Sequence, residues 1–280
     1  MAECLRRVSC FTSRPLAAAT YGLYALACVL FLVLHNINLA RYILKPVPLF
    51  LLALLALYYS VRKRCALLHC EGRLAAARPF LITVAFFLYG LGDLLMEFEV
   101  TAPVVLYAGT ALFAVGHVLM IVVLSTTGNE KRPFHPVAFV PCIPYMVLCW
   151  TSVIVLFMVM HNKILFAFGL FVYITILLTV LWRSVARIYS AIRERHMCGS
   201  RHMLYRTTWS WREVTVSLGY HLFMVSDVIL IAHTYTNVPA SVLATNVIVM
   251  ILYWTSALLI SAEVFTHAVQ MNTDNFGPMN

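Results

Sequence analysis

Eight stretches of about 20 mostly apolar residues follow one another along the chain, at 16–39, 42–60, 79–97, 102–126, 137–160, 164–186, 212–234 and 242–265. At a rise of about 1.5 Å per residue, a helix of that length crosses a hydrocarbon core of roughly 30 Å. In lipid every backbone N–H and C=O must be paired within the protein, which leaves only helices and closed barrels. Barrel strands alternate polar and apolar residues over about ten positions, and these runs do not. The expected fold is therefore all-α, a polytopic membrane protein of eight transmembrane helices.

Composition excludes the alternative of a water-soluble fold. Only 11% of the 280 residues are charged and 62% are hydrophobic, whereas a soluble domain carries about 25% charged residues. The chain is expected to form one membrane domain over 1–280, with its core at about 16–265 and a short polar tail at 266–280. Arg6, Arg7 and Arg14 precede the first run, but that run is too long for a secretory h-region, so it counts as the first helix. Pro141 and Pro144 should kink the fifth helix or set its start.

Orientation follows from the loop charges. Of 20 Lys and Arg residues, 17 fall on the side that also carries both termini, and such loops stay cytoplasmic. Both termini are thus expected in the cytoplasm. The same asymmetry accounts for the net charge of +9 through attraction to anionic lipid, without a nucleic-acid partner. The eight cysteines show no disulfide framework, and Cys65, His69 and Cys70 lack the paired spacing of a zinc site. A faint echo links Leu88–Leu95 with Leu222–Ile229, each placing a small residue and then Asp in an apolar helix. It suggests a weak 4+4 repeat.

Ionisable groups inside a membrane span cost about 2.5–3.5 kcal/mol each at the helix centre and normally face a polar interior. Lys45, Asp93, His117 and Asp227 are of this kind. With the orientation above, Lys45, Asp93 and Asp227 share one layer, roughly 5–10 Å from the non-cytoplasmic surface, while His117 lies deeper. Tyr89 and Glu97 stand one turn either side of Asp93, and Tyr173 and Tyr253 approach the same depth. Two carboxyl groups sharing a poorly hydrated space do not both ionise readily. An acid paired with a carboxylate is the equipment of general acid–base catalysis.

Each residue also has a plainer reading. Lys45, beside Pro46 and Pro48, can snorkel to the interface. His117 can serve as an interhelical hydrogen-bonding group, and a buried Asp can simply bond a Tyr or Ser. Glu97, Glu99 and Glu263 fall at span ends and read as interfacial. His221 and His233 are twelve residues apart, about 120° around a helix, and do not make a metal pair.

Taken in order, Lys45-Pro46, Gly92-Asp93-Leu94-Leu95-Met96, Phe113 with His117, Tyr173, and Phe223-Met224-Val225-Ser226-Asp227 resemble the successive signatures of the YhhN-like lysoplasmalogenase family. The resemblance covers roughly 39–261. In the last helix the family has Tyr followed by Ala-Gln where Tyr253 is followed by Trp254-Thr255, and Met120 replaces a Tyr common after the helix 4 His.

What the resemblance implies is hydrolysis of the vinyl ether bond of lysoplasmalogens to a fatty aldehyde and glycerophosphoethanolamine or glycerophosphocholine. Asp93 and Asp227 would form the catalytic pair, with the donor of the pair left open. Lys45, His117, Tyr89, Tyr173, Ser226 and Tyr253 would line the substrate site. No metal or organic cofactor is indicated. The partners expected are a lysophospholipid substrate and membrane lipids, and the eukaryotic members point to the endoplasmic reticulum.

Three other readings fit parts of the pattern. Gly90-Leu91-Gly92-Asp93 matches the Gly-x-Gly-Asp motif of intramembrane aspartyl proteases, but the second Asp comes 134 residues later, in the wrong order. A transporter would use intramembrane acids to relay protons or bind cations, and would show broken helices in matching positions of both halves. A non-catalytic lipid-binding member is the third.

Overall fold

The computed structural model describes the backbone of residues 2–34, 42–70, 73–98, 103–127, 130–131, 136–159, 164–197, 203–235 and 242–273, with side chains for the membrane-spanning part of each helix. Eight long helices result: α1 (Ala2–Leu34), α2 (Val47–Cys70), α3 (Arg73–Glu97), α4 (Pro103–Ser125), α5 (Ile143–Val159), α6 (Ile164–Met197), α7 (Met203–Tyr235) and α8 (Val242–Thr273). Eight spans are long and apolar enough to cross a membrane, from Pro15–Leu34 to Asn246–Val264; the second, Tyr42–Val61, starts before α2, and the fifth, Pro136–Ile154, starts before α5. The only strands among the described residues are Thr126–Thr127 and Glu130–Lys131, a two-residue antiparallel ladder after α4.

Helix boundaries follow local chemistry. Residues 42–44 are helical, Lys45 and Pro46 form a turn, and α2 begins at Val47. Proline has no N–H to donate and disfavours a helical residue before it. Its carbonyl instead accepts from the N–H groups of Leu49 and Phe50 at 3.1 Å, so α2 restarts on Pro46 and Lys45 sits on the break. Pro136–Cys142 is a 3-10 turn containing Pro141. Pro144 is the second residue of α5, where a missing N–H costs no helical bond. The two prolines therefore set the start of the fifth helix.

Packing arranges six helices in a closed ring, α2–α3–α4–α6–α7–α8 and back to α2, with α1 outside α2 and α5 outside α6. The peripheral spans of α1 and α5 are only 17% and 22% buried, against 39–56% for the other six. α1 is tied across the ring by Tyr24, which donates to the carbonyl of Trp254, and by Phe31 packed edge-on to the Trp254 ring. α3 and α4 approach each other closely. A Cβ on Gly92 would stand 2.7 Å from the Phe113 ring and 3.2 Å from the carbonyl oxygen of Gly109. The glycines of the Gly-x-Gly-Asp segment thus serve helix contact, as small residues do in membrane bundles.

Two expectations need correcting. Glu263 is not interfacial: it is 0% exposed and lies at the centre of an ionic network. Arg78 and Arg212 reach its Oε1 at 2.7 Å, Arg187 reaches its Oε2 at 2.8 Å, and Arg187 also grips Glu213 through Nε at 2.6 Å and Nη2 at 2.8 Å. This network pins α3, α6, α7 and α8 together at one end of the ring. Secondly, Arg183 and Arg187 belong to α6, which continues to Met197, rather than to a solvated loop. With Arg78 and Arg212 they are buried, so four of the 17 loop charges are packing residues. The other 13 keep the same sign of asymmetry. At the C-terminal end, α8 runs on to Thr273, so the segment read as a polar tail begins as helix.

Candidate functional site

At the end of the ring opposite the ionic network lies a cavity of about 780 Å³. Its wall is mostly apolar, and among the described residues its charged lining is Lys45, Asp93, Glu97 and Asp227. A pocket of this size and character, with few convergent polar groups, is typical of small-molecule and lipid sites.

Both aspartates face into it from the third helix of their half of the chain. Asp93, 3% exposed, accepts a hydrogen bond from the Tyr253 hydroxyl of α8 at 3.0 Å. Asp227 accepts one from the Tyr173 hydroxyl of α6 at 2.6 Å. Each carboxylate oxygen Oδ2 is thereby oriented by a phenol from a neighbouring helix, leaving acceptor capacity on the other oxygen. Asp93 is also within electrostatic reach of Lys45, Glu97 and Asp227. The two carboxyls, separated by 134 positions, therefore share one site.

One helical turn beyond Asp93, Glu97 pairs with Lys45, Nζ to Oε1 at 2.7 Å. The side chains are 18% and 9% exposed respectively, so this pair forms the polar rim of the cavity. Lys45 stands in the Lys45-Pro46 turn, and its ammonium meets Glu97 from there. Sequence reading took Glu97 as interfacial, although its spacing four residues after Asp93 already put both on one face.

The other expected site residues divide into wall and backing. Tyr173, Tyr253 and Ser226 line the cavity. Ser226 is buried, and its hydroxyl donates to the carbonyl of Val249 at 3.1 Å, so it joins α7 to α8. Tyr89 and His117 are absent from the described lining. Their side chains share a 2.9 Å hydrogen bond through Nδ1, with Tyr89 stacked on Phe113 and His117 edge-on to Phe223. Phe113 and Phe223 do line the cavity. The Tyr89–His117 pair thus backs the aromatic floor. The Nε2 atom of His117 has no hydrogen-bond partner among the described residues.

The architecture and the site define a class: a multi-pass helical membrane protein with two carboxyls lining one largely apolar cavity. The chain belongs to the YhhN family, whose model matches residues 40–264. No match was found among curated proteins or among solved structures. The matched segment begins just before Lys45 and ends one residue after Glu263, so it takes in the ionic network and the described cavity wall apart from Phe31.

Proposed function

We propose that this protein is an ether hydrolase acting on lysoplasmalogens, releasing a fatty aldehyde and glycerophosphoethanolamine or glycerophosphocholine. The observation that carries the reading is the pair of carboxyls, Asp93 and Asp227, each fixed by a tyrosine hydroxyl, in one apolar cavity.

Vinyl ether hydrolysis needs what such a pair supplies. One carboxylic acid transfers its proton to the alkenyl carbon beta to oxygen, and the double-bond electrons form the new C–H bond. The resulting oxocarbenium ion is stabilised by the negative charge of the second carboxylate. Water adds to the cationic carbon while a carboxylate takes its proton. In the hemiacetal's collapse the acid protonates the departing glycerol oxygen as its C–O bond breaks, and a carboxylate takes the hydroxyl proton as the aldehyde carbonyl forms. Net consumption is one water, and the acids end as they began, much as paired carboxylates work in glycoside hydrolysis.

Tyr173 and Tyr253 hold the carboxyl planes, and Phe113 and Phe223 flank the reacting carbon while limiting water. A transport path would have to pass the Tyr89–His117 layer and then the Arg78–Glu263–Arg187 network, both closely packed. That favours a one-ended site. The loop charges that remain outside the packing support both termini in the cytoplasm, with the cavity towards the lumen of an endomembrane such as the endoplasmic reticulum.

The test is direct. Purified protein is supplied with a lysoplasmalogen and, separately, with its saturated 1-alkyl analogue. Aldehyde from the first and none from the second is expected; aldehyde from neither would remove the assignment.

A further inference from the structure

Two neighbours in the ring, α4 and α6, part at the cavity end. The rings of His117 and Tyr173 lie 6.0 Å apart, and beyond them, towards the ionic network, Met120, Leu124, Leu177 and Leu181 are all buried. In the other direction the wall changes character. Tyr107 and Ala111 of α4 and Phe168, Gly169 and Val172 of α6 line the cavity, yet all five are exposed, with Tyr107 at 43%, Phe168 at 63% and Val172 at 39%. The aromatic floor of the same cavity, Phe113 and Phe223, is 6% and 1% exposed. Side chains that are wall and outer surface at once mark a place where the wall is open.

Helix geometry puts these residues on facing flanks. At about 100° per residue, Tyr107 and Ala111 stand roughly half a turn round α4 from Gly109 and Gly116, which meet Met96 and Tyr89 of α3. On α6, Phe171 packs against Trp150 of α5 at 5.8 Å, and Gly169 and Val172 stand about 160° and 100° round from it. A Cβ on Gly169 would meet nothing within 4 Å, whereas one on Gly109, Gly116 or Gly219 would stand 2.5–2.9 Å from a neighbouring side chain. The space between α4 and α6 is therefore a local gap and not general looseness of the ring.

Depth decides what meets the gap. Ala111 and Val172 lie seven and five residues inside the spans Val104–Ser125 and Ala167–Ile192, roughly 8–10 Å from their ends, so the surrounding medium is hydrocarbon. None of the five residues is charged. The charged groups of the described lining come from other elements: Lys45 before α2, Asp93 and Glu97 on α3, and Asp227 on α7. A long alkyl chain that passed through water would have to expose its methylenes, whereas one that passes through this gap exchanges lipid contacts for protein contacts.

We propose that the cavity opens sideways into the bilayer between α4 and α6, and that the hydrocarbon chain of a single-chain, membrane-resident amphiphile enters and lies in this opening. The opening is independent of turnover and would serve a binding protein as well as a hydrolase.

The full-length protein in phosphatidylcholine vesicles is exposed to two probes with a diazirine in mid-chain, a saturated 1-alkyl lysophosphatidylcholine and a long-chain alcohol. Neither has a vinyl ether to hydrolyse. After irradiation, mass spectrometry should find label in 107–111 and 168–172 that excess unlabelled probe displaces. Label at Val147 and Leu148, exposed on α5 away from the cavity, should not be displaced. Ala111→Trp and Val172→Trp, one from each flank, should slow displaceable labelling at least about tenfold at unchanged Tm, and Val147→Trp should not.

Label in the two segments no more displaceable than that at Val147 would overturn the proposal. So would unchanged labelling kinetics in both flank variants. A benzophenone amino acid in place of Phe168 should crosslink to vesicle lipid; crosslinking to a second copy of the chain would make the flank a protein interface and overturn the proposal too. Displaceable label from the alcohol alone would support the opening and remove the lysolipid from the site. Displaceable label from both probes with no aldehyde from a lysoplasmalogen would likewise support the opening and remove only the hydrolase reading.

Discussion

Replacing Glu263 by Gln should destabilise this protein more than any other single conservative change at its ionisable residues. The side chain is fully buried and contacts three guanidinium groups at 2.7–2.8 Å. Among the described residues the network holds three Arg and two Glu, a formal charge of +1; the substitution raises it to +2 while hardly altering volume, so packing is not the variable. Removing one partner from a buried pair costs about 3–5 kcal/mol, because the remaining charges lose their compensation. For a chain of this size each kcal/mol moves Tm by about 2–4 °C, giving a drop on the order of 10 °C. Thermal unfolding of the detergent-solubilised protein, followed by intrinsic fluorescence, reads it. Adding Arg212→Met to Glu263→Gln returns the network to +1, and the double variant should be less destabilised than the sum of the single changes by about 1 kcal/mol or more. A Tm within about 2 °C of wild type for Glu263→Gln would refute the idea that this network locks the closed end of the ring.

Two further substitutions separate packing from the site. Gly169 lines the cavity, and a Cβ there meets nothing within 4 Å; Gly169→Phe should leave Tm unchanged yet cut aldehyde release at least about tenfold by occupying the space a substrate needs. Gly92→Leu should do the reverse of such tolerance. Its Cβ would stand 2.7 Å from the Phe113 ring and 3.2 Å from the Gly109 carbonyl, so α3 and α4 must separate, at about 1–3 kcal/mol, visible as a lower Tm and a poorer yield of monodisperse protein.

What the sequence made legible depends on how far each feature is local. Span length and apolar run are local, and all eight spans sit where they were read, as does the proline-set start of α5. Asp93 and Asp227 announced themselves because a carboxyl in the middle of an apolar helix needs a polar destination. Glu263 did not, because an acid near the end of an apolar run looks the same whether it meets water or three arginines from distant helices. Arg187 was hidden for the related reason that α6 runs past its apolar stretch: charge was read as the end of the helix when it marked a buried contact. Glu97 lay on the right face of α3, but its partner Lys45 is positioned by the break at Pro46, and only the folded chain brings the two together. Tyr89 and His117 were read as lining the substrate site, whereas neither is among the described residues of the cavity wall. That they bond each other behind Phe113 and Phe223 is a matter of rotamer and ring packing that spacing does not convey.

The central claim is that two carboxyls act together in one cavity. Aldehyde release from a lysoplasmalogen by the wild-type protein, Asp93→Asn and Asp227→Asn, each checked for unchanged Tm, tests it most directly. Each single variant should lose about 10²–10⁴-fold in turnover, and the double variant little more than the worse single one, since groups that work as a unit are not additive. Near-normal turnover in either single variant would contradict the account.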